Sequence, residues 1–250
     1  AAILESRKDL IVVGVTGSFG KTGTKNYLYR MLSQKYNTLV TPGNFNTTLG
    51  VIRTVREHLR PTHKVFIVEM GAKQTGDIQE ICELVHPSMG IVTAVGKMHL
   101  ETFKTFENIQ RTKFELVRSL GAGGFAAVNL DSAGIASWMG QENYEAEVST
   151  YGVSAPEAAA RAENISYSAS GTSFDIVLPD GNRIPVRTRV VGACNILNIL
   201  GAAMVASRLG VTPSQIRLAC AALEPVEHRL SISSNGLYTV VDDAYNANPE

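Results

Sequence analysis

Apolar residues in the first half of the chain fall in short unbroken runs, separated by segments of helical period. The run Asp9–Val15 (DLIVVGV) predicts a buried strand, and Lys21–Tyr36 a helix with Leu28, Met31, Leu32 and Lys35 on one stripe. Thr38–Val40 is a short strand stopped by Pro42-Gly43. A helix over Thr48–Leu59, a strand over Lys64–Glu69 and a helix over Gly76–Val85 closed by Pro87 follow. Gly90–Val95 is the next strand, Phe106–Leu120 a long helix, and Gly124–Val128 a further strand. Strands that are apolar throughout are buried on both faces, so this half predicts a parallel sheet with helices on either side.

The second half changes period. Ala146–Tyr151, Ile165–Ser168, Ser173–Leu178 and Arg183–Val190 read as short alternating strands, the last two joined by the turn Pro179-Asp180-Gly181-Asn182. Helices are predicted over Asn195–Leu209, ended by Gly210, and over Pro213–Leu223, opened by Thr212-Pro213. Leu230–Ser233 and Leu237–Asp242 form a last hairpin around Ser234-Asn235-Gly236. Glu224-Pro225 marks the expected boundary between a domain over 1–225 and the start of another over 226–250. The fold class is α/β: a P-loop-type, mostly parallel sheet flanked by helices, with a smaller antiparallel β subregion.

Chemistry enters at Gly14-Val15-Thr16-Gly17-Ser18-Phe19-Gly20-Lys21-Thr22, between a buried strand and a helix. A triphosphate needs converging backbone N–H groups, a helix N-terminus, a flexible cation for its β and γ oxygens, and a hydroxyl for Mg²⁺. Gly17, Ser18, Gly20, Lys21 and Thr22 supply that order, although Val15 stands where the first glycine of GxxxxGK[ST] belongs. A glycine turn carrying a chance Gly-Lys-Thr is the competing explanation, and the strand–loop–helix setting disfavours it. An acid at the end of a neighbouring strand completes such a site, and Glu69 closes the run Val65-Phe66-Ile67-Val68. No guanine-reading NKxD run is present, which lowers the GTPase reading.

Composition narrows the class further. Lysines plus arginines number 23 and acids 23, so the net charge is zero and a broad surface for nucleic acid or anionic membrane is not expected. The three cysteines, Cys82, Cys194 and Cys220, form neither a CxxC pair nor a disulfide framework and suit a reducing cytoplasm. The five histidines lack zinc-site spacing. The chain begins without Met and ends at Asn-Pro-Glu, which reads as a piece of something longer.

Several segments then resemble, in order, the Mur ligases, the ATP-dependent amide-forming enzymes of peptidoglycan synthesis. Thr16-Gly17-Ser18-Phe19-Gly20-Lys21-Thr22 is similar to their TGxxGKT loop, and Gly43-Asn44-Phe45-Asn46 with Gly50-Val51 to a GNxN…GV segment. Glu69-Met70-Gly71-Ala72, His99-Leu100-Glu101 with Lys113-Phe114-Glu115, Gly192-Ala193-Cys194-Asn195-Ile196-Leu197-Asn198, and Arg229 with Asp242-Asp243-Ala244-Tyr245-Asn246-Ala247-Asn248-Pro249 match further motifs. The last points to the branch that adds D-alanyl-D-alanine. Gly23, Phe19, Cys194 and Ala244 depart from the usual residues.

The resemblance implies a central ATPase domain whose N- and C-terminal partner domains lie outside this chain. It implies ATP and Mg²⁺ as cofactors, and a UDP-MurNAc-peptide and D-Ala-D-Ala as substrates. Lys21 would hold β and γ oxygens, and Thr22 and Glu69 one Mg²⁺. His99 would serve a second Mg²⁺, and Lys113 would join as a carbamate ligand or as a plain cation. Asn195 or Asn198 would face adenine, with Arg229 and Asp243 on phosphate and ribose. The residues alone read more plainly: His99 as a loop histidine, Asn195 as a helix cap, Asn198 and Lys113 as helix surface, and Asn44 and Asn46 as turn formers. Two other readings stay open. One is a superfamily ligase of different substrate, resembling folylpolyglutamate or cyanophycin synthetases; the other is a nucleotide-binding partner subunit without turnover.

Overall fold

A computed structural model describes residues 2–168, 171–224, 231–234 and 239–242. In chain order the elements are α1 (Ala2–Glu5), β1 (Ile11–Thr16), α2 (Lys21–Leu32), β2 (Thr38–Val40), α3 (Thr48–His58), β3 (Val65–Met70) and α4 (Asp77–Val85). Next come β4 (Met89–Val92), α5 (Leu100–Phe103), α6 (Phe106–Arg118), β5 (Phe125–Asn129), α7 (Ala133–Ala136), β6 (Glu147–Gly152), β7 (Ala160–Ser168), β8 (Gly171–Val177) and β9 (Arg183–Thr188). They are followed by α8 (Ala193–Arg208), α9 (Pro213–Ala221), β10 (Ser231–Ser234) and β11 (Thr239–Asp242).

One nine-stranded sheet runs β2-β3-β1-β4-β5-β6-β7-β8-β9. Pairing is parallel from β2 through β7 and antiparallel for β7–β8 and β8–β9. The alternating strands of the second half therefore extend the parallel sheet rather than standing apart from it. Strand alternation explains the layers. Val13, Val15, Ile67 and Ile91 face one side, where Leu28, Met31, Ile199 and Ala203 of α2 and α8 cover them. Val12, Phe66, Val68 and Val92 face the other, under Val55, Ile81 and Phe114 of α3, α4 and α6. Unbroken apolar strands arise because both faces are dry. β10 and β11 pair antiparallel as a separate two-stranded sheet, on the expected hairpin.

Some boundaries move. The helix expected to reach Tyr36 ends at Leu32, since Gln34 and Lys35 donate back to Met31 and Leu32 in tight turns. Lys35 is consequently not on the buried stripe; its Nζ donates to the carbonyls of Leu209 and Gly210 at the end of α8. The strand expected to reach Val95 stops at Val92, because the residues after it leave the ladder to brace the glycine loop. The short helices α1, α5 and α7, four residues each, carry too little periodicity to be seen in sequence.

Candidate functional site

The C-terminal ends of β1, β3 and β4 share one edge of the sheet, and α2 starts there directly after Gly17-Ser18-Phe19-Gly20. Gly17 has φ 148° and Gly20 φ 80°, both in the half of backbone space that glycine tolerates. A Cβ on Gly17 would collide with the Thr93 hydroxyl, and one on Gly20 would lie 2.6 Å from Asn198 Oδ1. The loop is braced from β4: Ser18 N donates to Ala94 O at 2.7 Å, and the Ser18 hydroxyl accepts from Gly96 N at 3.0 Å. The Thr93 hydroxyl sits against the carbonyls of Thr16 and Phe19.

Helix termini separate structural from functional ends. α3, α6 and α9 are capped by the hydroxyls of Thr47, Thr105 and Thr212. α4 starts at Gly76 without a side-chain cap of its own, and the Glu115 carboxylate takes the N–H groups of Gly76 (2.8 Å) and Gln79 (3.0 Å) instead. α2 starts at Gly20, also without a side-chain cap hydrogen bond. Its first-turn N–H groups and dipole face the open edge, the arrangement that receives an anion. Lys21 folds back over the loop, Nζ donating to Gly17 O at 2.7 Å and Ser18 O at 3.1 Å. Thr22 is half-buried, and its hydroxyl has no hydrogen-bond partner among the described residues.

Glu69 is buried at the end of β3. Its Oε1 accepts from Asn46 Nδ2 at 3.1 Å, and its Oε2 lies 2.9 Å from Lys25 Nζ. That second contact is an ion pair without an aligned hydrogen bond, so Oε2 is a buried oxygen left without a donor. Burial pushes the Glu69 carboxyl up, but the Lys25 charge, contacts from Lys25 and Asn46, and the Lys21 charge together hold it below its ordinary value. Breaking either side of such a buried pair costs about 3–5 kcal/mol.

Lys113, on α6, is also buried, and its ammonium makes no hydrogen bond or ion pair among the described residues. Burial first, and then the charge of Lys21, push it down to about 7 against the pull of Glu115 and Asp77. Lys21 is therefore close enough for its charge to act on both Glu69 and Lys113. The depressed value has a stability consequence. Between pH 7 and 10.5 the unfolded chain binds a proton at Lys113 that the folded chain does not, so this group's contribution to stability declines as pH falls from 10.5 and is fully lost below about 7. In carbon dioxide-free buffer, Lys113→Met should melt higher than the wild type below pH 7. That gap should narrow as pH rises toward 10.5 in thermal melts.

The remaining expected residues are distributed less evenly. His99 lies on the same edge in the loop after β4, exposed and left-handed (φ 55°), and its imidazole contacts no hydrogen-bond partner among the described residues. Asn195 accepts from Tyr27 Oη at 2.8 Å and donates to Val191 O at 2.7 Å. Asn198 accepts from Thr24 Oγ1 at 3.0 Å and packs on Gly23, where a Cβ would lie 2.8 Å from its Nδ2. Both amides thus tie α8 to α2, and the space Asn198 fills explains glycine at 23. Arg229 and Asp243 lie outside the described residues. Lys25 and Thr93 carry no mark in the sequence, and Asn46 after Pro-Gly reads as a turn former; a lysine on a helix carries no sequence mark of burial.

The residues present suit a hard divalent cation. Glu69 offers a buried oxygen held by the Lys25 charge and by no aligned donor, and Thr22 a hydroxyl without a partner among the described residues. No three His, Cys, Asp or Glu side chains among the described residues form a complete cage. Mg²⁺ usually takes only one or two protein oxygens and leaves the rest to phosphates and water.

A family model described as the Mur ligase middle domain matches residues 15–206. The chain belongs to the Mur ligase family. The UDP-N-acetylmuramoyl-tripeptide–D-alanyl-D-alanine ligase of Mycobacterium tuberculosis is 33% identical over 257 residues, covering 96% of this chain and 47% of that protein. The corresponding ligase of Escherichia coli K12 is 32% identical, covering 95% of this chain and 52% of its own length. The crystal structure of MurF ligase from Thermotoga maritima in complex with ADP superposes with TM-score 0.86 at 27% identity, over 99% of this chain and 56% of that one. This Mur ligase chain spans about half the length of the curated relatives it matches. No helix among its described residues is long and apolar enough to cross a membrane.

Proposed function

We propose that this chain is the nucleotide-binding centre of an ATP-dependent ligase that joins D-Ala-D-Ala to a UDP-MurNAc-peptide. The observation that carries the reading is that the charge of Lys21, at the open start of α2, acts on both the buried Glu69 carboxylate and Lys113, whose ammonium has no partner among the described residues. A carboxylate is a poor electrophile toward an amine, so it must first be activated. Transfer of the γ-phosphoryl group gives an acyl phosphate, the amine adds to its carbonyl, and collapse releases phosphate and leaves the amide. The protein's share is positioning and charge neutralisation.

In this reading the first-turn N–H groups of α2 and Lys21 hold the phosphates. Glu69 and Thr22 would hold Mg²⁺, with His99 and Lys113 serving a second ion. The metal, when bound, supplies neutralisation of the oxygens between which the phosphoryl group moves. The amides of Asn195 and Asn198 set the seam on which adenine would lie, and Arg229 and Asp243 would close on the nucleotide from the second unit. The location implied is cytoplasmic, where nucleotide substrates are available.

Phosphate release by the full-length protein should require both the UDP-MurNAc-peptide and D-Ala-D-Ala; release that ignores either substrate would refute the reading. Residues 1–250 alone should bind ADP but form no amide, since the relatives carry about as much chain again and catalysis here is mostly positioning. Ligation by the 250-residue piece at the full-length rate would overturn that assignment.

A further inference from the structure

We infer that Lys25 is a positioning residue that stands in for the divalent cation at Glu69, so that the site refuses free metal and accepts it only together with nucleotide phosphates. The inference rests on the reading of Glu69 as a Mg²⁺ ligand and adds to it what the neighbouring lysine does.

Lys25 lies one helical turn beyond Lys21, yet its side chain is only 2% exposed. Its Nζ donates to the carbonyls of Thr41 (3.0 Å) and Gly43 (2.8 Å) and lies 2.9 Å from Glu69 Oε2. Of these three neighbours the two carbonyls take N–H groups, and the carboxylate oxygen is held by charge across a pair without an aligned hydrogen bond. Two of them belong to the loop between β2 and α3. That loop also holds Glu69 elsewhere: Asn46 Nδ2 donates to Oε1 at 3.1 Å, and Thr41 Oγ1 accepts the Glu69 N–H at 3.0 Å. Asn46 O then accepts from Gly71 N at 2.7 Å. The loop, the lysine and the carboxylate form one connected unit.

Stability does not account for this pair. A buried ion pair is often matched or bettered by apolar residues of the same volume, so holding a charge here costs the fold without a compensating gain. The pair does make sense for a carboxylate that must be present, charged and aimed before its metal arrives. Lysine suits the task because its charge is a compact point: it can yield Oε2 to another cation and keep its two carbonyl partners. While it stays, its charge opposes a second cation at the same oxygen, and Lys21 adds to that opposition. Triphosphate or diphosphate oxygens supply the negative charge that reverses the balance. The predicted ligand is thus a divalent ion carried by a nucleotide, not the free ion.

The test is electron paramagnetic resonance titration of the full-length protein with Mn²⁺, with and without ADP. Lys25→Met should bind Mn²⁺ without ADP about tenfold more tightly than the wild type, because a like charge beside the ion is gone. Glu69→Gln should lose that binding, and adding Lys25→Met to it should restore nothing. A folded Lys25→Met that binds free Mn²⁺ no more tightly than the wild type overturns the inference, and a purely structural lysine predicts that outcome. If Glu69→Gln binds Mn²⁺·ADP as well as the wild type does, the metal reading of Glu69 itself fails, which is a separate result. If Lys25→Met does not fold, the wild type decides. Hydrogen exchange at residues 41–46 should differ between Mg²⁺·ADP and metal-free ADP, and identical exchange in the two states overturns the inference.

Discussion

Replacing Lys21 with alanine should lower ligation by the full-length protein by about 10²-fold or more and weaken ADP binding, while leaving the fold intact. The fold survives because the partners of Lys21 Nζ are the carbonyls of Gly17 and Ser18, at a half-buried place that water can reach. No buried charge is stranded, unlike the loss of Lys25 beside Glu69. Binding weakens without vanishing, since the N–H groups at the start of α2 and its dipole remain. Turnover suffers more than binding because negative charge shifts toward the leaving phosphate oxygens during transfer, where one fixed cation in a dry site matters most. The substitution also removes a like charge that helps depress Lys113, so the Lys113 ammonium should titrate higher in the variant. Calorimetry with ADP, thermal melts and single-turnover phosphate release separate these effects. An ADP affinity equal to the wild type's would sink the role given to Lys21.

What the sequence made legible and what it hid follow from the range of the interactions involved. Phosphate-loop glycines, the buried strands and the carboxylate at the end of β3 are local features. Each is fixed by a few neighbouring residues, so the glycine loop and the acid at the strand end are legible in the sequence itself. Lys25 was not found, because a lysine in the first turns of a helix reads as solvated; what buries it is a loop 16 residues on, at Thr41. Thr93 reads as one more residue of the Gly90–Val95 strand, and its bond to Phe19 is made by sheet order, which places β4 beside β1. Asn195 and Asn198, three apart, read as sharing one helix face, but their partners Tyr27 and Thr24 come from an element far away in sequence. The run Ala146–Tyr151 shows the same limit for the fold. Its alternation marks a strand, while its parallel pairing with β5 is a matter of topology that period alone does not encode.

The second large effect concerns Lys113. If the full-length protein is the proposed ligase, its activity should fall when carbon dioxide is removed and return with bicarbonate, and Lys113→Ala should lose about 10³-fold or more. Lys113 is a buried amine with no partner among the described residues. Such a group is costly as a cation, and burial with the nearby Lys21 brings it down to about 7. At neutral pH much of it is therefore the free amine. A neutral amine adds its lone pair to carbon dioxide: a C–N bond forms, one C=O π bond breaks, and one proton leaves, giving a carbamate. A cation thereby becomes an anion with two hard oxygens. The electrostatic sign then suits the site: beside Lys21 and a divalent ion a second positive charge is repelled, whereas a carbamate is attracted. Few other hard oxygens are on hand, because the Glu115 carboxylate is already held by the N–H groups of Gly76 and Gln79. Protonation competes with carbamylation, so the dependence on bicarbonate should steepen as pH falls below 7 and fade above it. A plain Lys113 ammonium holding phosphate predicts the reverse, with activity rising as the amine protonates and no response to carbon dioxide. Indifference to carbon dioxide across that pH range, with crystallographic density ending at the Lys113 nitrogen while metal is bound, would decide for the plain ammonium.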